Sequence, residues 1–135
     1  SVTAAGSWLL RYDTRATPTS AFAERLNTPN NPIDFRGRLA LDWTRGAWSA
    51  GAAMNYVDGY RSLEGDAIGS FRTADLRIGY EPERGPLAGA AVSLSVRNLL
   101  NEDPPFYDAP QGIAYDAANA DVLGRFVALQ VTRRW

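Results

Sequence analysis

The chain contains no cysteine, no histidine and no lysine; all 14 of its basic residues are arginines. Each absence removes a kind of chemistry. Without Cys there is no thiolate nucleophile and no disulfide-stapled mini-domain. Without His, zinc sites of the usual type and the commonest general base are gone. Without Lys there is no Schiff base and no P-loop lysine. A serine nucleophile would have neither His nor Lys to activate it, so only carboxylates remain as acid/base candidates. Long apolar runs are missing too. The longest, Leu87-Ala88-Gly89-Ala90-Ala91-Val92, is mostly small residues and stops at Ser93, far short of the roughly 20 a membrane-crossing helix needs. A net charge of −1 makes no electrostatic case for nucleic acid. Ser1-Val2-Thr3 does not open a signal peptide, so the expectation is that one was removed or that the chain begins inside a longer protein.

What is present is alternation with a period of two. The chain has 135 residues, 45% of them hydrophobic and 21% charged, which suits one ordered domain rather than a disordered tail. In Val2 to Arg15, Val2, Ala4, Gly6, Trp8, Leu10 and Tyr12 share a face. In Ile33 to Thr44, Phe35, Gly37, Leu39, Leu41 and Trp43 oppose Asp34, Arg36, Arg38, Asp42 and Thr44. Ala47 to Val57 places Trp48, Ala50, Ala52, Met54 and Tyr56 together. Phe71 to Glu81 and Ala90 to Asn98 alternate likewise, through Leu76, Ile78 and Tyr80 and through Val92, Leu94 and Val96. The final run, Leu123 to Trp135, puts Val127, Leu129, Val131 and Trp135 on one face. Strict alternation marks strands with one face in an apolar medium, and no helical spacing fits these segments as well. The pattern predicts an all-β fold, an antiparallel up-and-down meander of six strands.

Most of these segments reach the roughly 9–11 residues that a tilted strand needs to cross a bilayer. Their connections alternate between short and long. Arg45-Gly46 and Pro82 to Gly89 are short; Ala16 to Pro32, Asp58 to Ser70 and Leu99 to Val122 are long. Outer-membrane barrels have short periplasmic turns and long extracellular loops. Trp8, Tyr12, Trp43, Trp48, Tyr56, Tyr80 and Trp135 fall toward the ends of apolar faces, where aromatic girdles sit. Aromatics are also simply good strand residues, so an ordinary core sheet stays open at this point.

The most specific string is Val96-Arg97-Asn98-Leu99-Leu100-Asn101-Glu102-Asp103-Pro104-Pro105-Phe106. Asn98 can turn the chain by bonding its own backbone, and Pro104-Pro105 stiffens a loop that donates no ladder hydrogen bonds. With Leu99, these residues read as a rigid loop exit without a ligand role. Asp116, Asn119 and Asp121 could offer oxygen ligands to a hard cation, but their spacing matches no established loop, and a solvated loop is the expectation. Glu102 and Asp103 are neighbours whose side chains point apart on an extended chain, a poor hydrolytic pair.

This string resembles the "N-L-x-(N/D)-x-x-P-P" stretch near the C-terminus of TonB-dependent outer-membrane receptors. The resemblance continues through Tyr115-Asp116 and Asn119 into Gly124-Arg125-Phe126-Val127. Upstream, Phe35-Arg36-Gly37 with Trp43, Tyr56-Val57-Asp58-Gly59-Tyr60, Thr73-Ala74-Asp75-Leu76 and Gly79-Tyr80 follow the order seen in that family. No single motif decides it; the ordered series does, and it covers essentially the whole chain.

The resemblance implies a plugged barrel of about 22 strands, of which residues 1–135 would be the C-terminal segment. The plug domain and the TonB-contacting segment would be absent. The parent would be a transport receptor in the outer membrane of a Gram-negative bacterium, taking up a scarce nutrient such as an iron–siderophore complex, a vitamin or a glycan. Its partners would be outer-membrane lipid, the rest of the barrel and its plug, the TonB complex acting through that plug, and the barrel-assembly machinery. Gly124, Phe126, Leu129, Val131 and Trp135 would carry the assembly signal, an exposed strand edge read by β-augmentation. Arg133 departs from the family, which often has an aromatic there, although its side chain is long enough to reach the headgroups. No catalytic, metal or cofactor site is expected, and no nucleic-acid partner. Two other classes stay open: a small porin-like or structural barrel built from several copies, and a soluble β domain that binds carbohydrate through exposed Trp and Tyr. The two environments differ in what covers the apolar faces, lipid or a second sheet.

Overall fold

A computed structural model describes residues 1–86, 88–110 and 112–133. Its strands are β1 (Val2–Trp8), β2 (Asp13–Thr14), β3 (Ala23–Glu24), β4 (Phe35–Arg45), β5 (Trp48–Val57), β6 (Tyr60–Arg61), β7 (Ala67–Ile68), β8 (Phe71–Tyr80), β9 (Ala90–Arg97) and β10 (Phe126–Arg133). No helix occurs among the described residues. Six strands form one antiparallel sheet in the order β1-β4-β5-β8-β9-β10. The remaining strands are two-residue hairpins inside the long loops, β2 with β3 and β6 with β7. The meander is therefore as expected. The sheet is open: β1 and β10 form its two edges.

The register sorts the side chains as the alternation predicts, because residues directly opposite on antiparallel strands share a face. One row runs Trp43, Ala50, Ile78, Leu94, Leu129; the next runs Val2, Leu41, Ala52, Leu76, Val96, Val127. The opposite face carries Arg38, Asn55 and Thr73 in one row and Asp42, Gly51, Arg77, Ser95 and Ala128 in another. Apolar side chains on the first face stay exposed: Leu41 at 50%, Met54 at 58% and Leu129 at 68%. A soluble two-sheet domain would bury these residues under a second sheet, and none of the described residues does so.

The first segment differs from its expected extent. The strand ends at Trp8 rather than Arg15, and Leu10 and Tyr12 leave the sheet. The cause lies in the partner. Leu9 N donates a last bond to Asp34 O at 2.8 Å. Before Asp34 the partner chain turns away at buried Ile33 and at Pro32, which has no N–H to offer a ladder.

All three long connections leave from one end of the sheet, since consecutive strands are antiparallel neighbours and the two short turns take the other end. At the long-loop end a small core forms from Ile33, Tyr60, Ile68, Tyr107 and Ala109, with Val57 packed against it. Each of the three loops contributes. At the other end, Gly46 adopts φ +55° in the tight turn between β4 and β5, a backbone conformation that suits glycine.

Candidate functional site

Three features are built on this frame: an aromatic-bounded apolar band, a knot joining the loops, and a polar cavity beneath one of them.

The band is bounded at both ends. Trp8, Phe35 and Tyr56 lie in adjoining positions of the loop-end rows, with ring centroids 5.7 Å and 6.0 Å apart. At the turn end, Trp48 and Tyr80 are cross-strand partners at 4.6 Å. Such ring pairs add to their area of contact. Between Trp48 and Tyr56 on β5, every residue on this face is Ala or Met: Ala50, Ala52 and Met54. That spacing is about 27 Å along the strand, or roughly 20 Å in height after the usual barrel tilt. Transmembrane barrels carry an apolar band of about 25 Å between aromatic girdles. Arg72 stacks over the outer side of the loop-end group, 5.5 Å from the Tyr56 ring. Trp43 adds to the turn-end group from the neighbouring row. Of the aromatics expected at the ends of the face, Tyr12 lies off the sheet and Trp135 lies outside the described residues.

The knot centres on Asp116, which is only 2% exposed. Tyr60 Oη donates to its Oδ2 at 2.7 Å, Asn119 Nδ2 at 2.7 Å and Asn30 N at 3.1 Å; Ala118 N donates to Oδ1 at 3.0 Å. Asn119 also donates to Asn31 O at 3.0 Å and accepts from the Arg36 guanidinium on β4. Burial pushes the Asp116 carboxyl up, but the bonds from Tyr60, Asn119, Asn30 and Ala118 outweigh it and hold the group below the usual carboxylate range. Tyr60 moves the other way: burial first, then its bond to the Asp116 carboxylate, raise its phenol well above the ordinary value.

These contacts correct the expectation of a solvated loop at Asp116 and Asn119, both of which are buried; Asp121 is exposed as expected. The cation alternative finds no support here. Four donors already occupy the Asp116 carboxylate, and the Asn119 side-chain oxygen accepts from Arg36, so neither is turned toward a cation. Asn30 and Tyr60 escape sequence reasoning because they lie 86 and 56 residues from Asp116. No local spacing connects them.

The Asn98 motif works through its backbone. Asn98 has φ +49° and Asn101 φ +56°, the left-handed region that Asn tolerates better than most residues. Asn98 Oδ1 accepts from Glu102 N at 2.9 Å and its Nδ2 donates to Glu102 O at 2.8 Å, so one side chain clamps the turn from both sides. Its own N–H donates to Asp75 Oδ1 at 3.1 Å, tying the turn to β8. Leu99 N extends the sheet pairing to Ala74 O at 2.6 Å. Asn101 Oδ1 accepts from Arg125 N at 2.8 Å, at the entry to β10. A Cβ on Gly124 would meet that same oxygen at 2.9 Å, so Gly124 lets the loop exit and the last strand close on each other. Pro104 and Pro105 are half-buried, and Pro105 abuts Gly69. Glu102 and Asp103 are exposed on the same loop.

Of the expected signal residues on β10, Leu129 and Val131 lie on the apolar face and are exposed. Phe126 pairs with Arg97 on the opposite face. Among the described residues no further strand pairs with its outer edge.

The cavity, about 780 Å³, lies between the polar sheet face and the segment 115–122, which crosses that face like a strap. Arg36 on β4 holds the strap through Asn119, and Arg97 on β9 stands 3.7 Å from Asp121. The cavity floor is a bonded network. Arg38 donates to Asn55 Oδ1, and Asn55 Nδ2 donates to Thr73 Oγ1 at 3.0 Å and Asp75 Oδ2 at 2.9 Å. Arg38 also stands 3.6 Å from Asp75.

No protein-family model, curated protein or solved structure matches this chain.

Proposed function

We propose that this chain is a wall segment of a large outer-membrane β-barrel, belonging to a TonB-dependent receptor that takes up a scarce nutrient such as an iron–siderophore complex, a vitamin or a glycan. The observation that carries this reading is the exposed apolar face, continuous across all six long strands and bounded by packed aromatics on β1, β4 and β5 at the loop end and on β5 and β8 at the turn end. Soluble monomers rarely expose contiguous apolar patches beyond a few hundred Å². Lipid gives such a face a partner and gives its aromatic borders the headgroup level they prefer. The open edges at β1 and β10 support membership of a larger sheet, since six strands fall short of the roughly eight in the smallest known barrels. The polar face then lines the interior and the long loops face outside. TonB would act through a plug, and the assembly machinery would read the edge of β10. This segment supplies wall, loops and assembly signal, and it does not transport by itself.

The test is location and depth. The full-length receptor carrying this segment should fractionate with outer membranes and migrate differently before and after heating. In liposomes, single-Trp variants retaining Trp8 or Trp48 should be quenched most by lipids brominated near the headgroup. A soluble chain, or Trp8 and Trp48 fluorescence indifferent to brominated lipid, rules the reading out.

A further inference from the structure

We infer that the cavity under the 115–122 strap binds a neutral, polyhydroxylated ligand, an oligosaccharide rather than an anionic iron chelate. This rests on the proposal that the polar face lines a barrel interior, and it selects the substrate class for that barrel.

Charge is the first argument. Four charged side chains reach the cavity: Arg38, Arg97, Asp75 and Asp121. They cancel, and they cancel locally, with Arg38 beside Asp75 and Arg97 beside Asp121. An anion drawn to either guanidinium meets a carboxylate at nearly the same distance. A wall that binds a multiply charged anion supplies an excess of donors and positive charge, and these four side chains supply none.

Geometry is the second. The ion pairs stand at 3.6 Å and 3.7 Å, too far apart for direct hydrogen bonds. A hydroxyl both donates and accepts, so it can seat at such a pair, accepting from the guanidinium and donating to the carboxylate. Water can do this singly. A ligand with several hydroxyls on a rigid ring does it at both pairs while losing less entropy. Asn55 fixes Arg38 and Asp75 from between, so one of these pairs is preorganised.

The cavity volume lies within the range of small-molecule sites, about 300–1,000 Å³. Tyr115 on the strap contributes an aromatic side chain to the wall, which can cover the C–H face of a sugar ring as it covers other apolar surface.

The experiment measures binding by the full-length receptor in detergent, using maltohexaose, cellohexaose, xylohexaose and mannohexaose as neutral probes and ferric tris-catecholate as the anionic one. Saturable binding of at least one hexaose is expected, without ferric tris-catecholate binding. Asp75→Asn and Arg97→Gln should each weaken that binding roughly tenfold or more, the loss of one charge-assisted hydrogen bond. Asp75→Asn/Asp121→Asn, which leaves the guanidiniums unbalanced, should bring ferric tris-catecholate binding into range, a gain that mere unfolding cannot produce. Gln130→Ala, on the same face but outside the cavity, should change nothing. Ferric tris-catecholate binding without hexaose binding overturns the inference, as does binding of neither probe or hexaose binding indifferent to both single substitutions. Failure of the barrel proposal is seen separately, as a chain that neither fractionates with outer membranes nor shifts on heating.

Discussion

Leu94 and Ile68 are both aliphatic, and the fold treats them in opposite ways. Leu94 sits mid-strand between Ile78 and Leu129 and is 42% exposed. Ile68 sits in a loop hairpin and is 4% exposed. The contrast holds for the two regions they belong to. The sheet, which in a soluble protein would carry the core, leaves its apolar face uncovered. The loops, which usually run over a surface, contain the one buried hydrophobic cluster among the described residues, formed by Ile33, Tyr60, Ile68, Tyr107 and Ala109. Burial is driven by water. Under the proposed reading the uncovered apolar face meets lipid rather than water, while the loops, with water around them, hold their shape through a core of their own. The inversion thus divides the chain into a sheet whose apolar face is uncovered and a loop region that buries its own core.

The sharpest way to break that division is to put a charge on the sheet. Leu94→Arg should cost about 2–4 kcal/mol if this position lies near the bilayer midplane, and should strip folded, heat-modifiable receptor from outer-membrane fractions. Gln130→Arg, on β10 but on the polar face, should leave that amount unchanged. Equal losses from both would erase the distinction between the faces.

The loop region should break by a different route. Asp116→Ala leaves the Tyr60 hydroxyl, the Asn119 amide and the Asn30 N–H without their acceptor, at about 2–3 kcal/mol. Proteases should then cut all three long loops together while the barrel still shifts on heating. Cutting confined to 99–122 would mean that the loops are not one unit.

The same knot should answer to pH within a definite window. Asp116 is held below its ordinary value, near ~4, so its contribution is complete above that value and drains as pH falls through the lower native one. Tyr60 is held above its ordinary value, near ~10, so its contribution is complete below that value and is lost as pH rises beyond it. The protection of the loop amides relative to their intrinsic exchange rates should hold between these limits and fall outside them. Asp116→Asn should abolish the acid limb.

Smaller effects lie where the two regions meet. Gly124→Ala pushes a methyl toward Asn101 Oδ1 and its bond to Arg125 N. A loss of about 1 kcal/mol is expected, read as faster exchange at the Arg125 amide. Trp135→Asp should cost the finished barrel least, about 0–1 kcal/mol at the interface. Any large fall in assembled receptor would then belong to recognition of the strand during assembly. Equal amounts of assembled receptor would leave Trp135 a girdle residue.

The sheet was legible in the chain because one physical rule governs it. Side chains alternate along a strand, so a face that must be apolar writes itself into every second residue, as in Leu39, Leu41 and Trp43 or Val127, Leu129 and Val131. Asn98 was legible for a similar reason: its clamp on Glu102 spans four residues. The end of β1 at Trp8 was not, because Leu10 continues the alternation and only the departure of its partner at Pro32 stops the strand. The Asp116 knot and the cavity beneath it follow no period at all. Their members meet because three loops leave the same end of one sheet, and that proximity belongs to the pairing of strands rather than to any stretch of sequence. The sequence by itself determined which residues face which way, since orientation is a local consequence of the extended backbone. The tertiary structure decided which distant side chains share a buried carboxylate or a cavity wall, since contact across loops depends on where strand register and strand ends bring them.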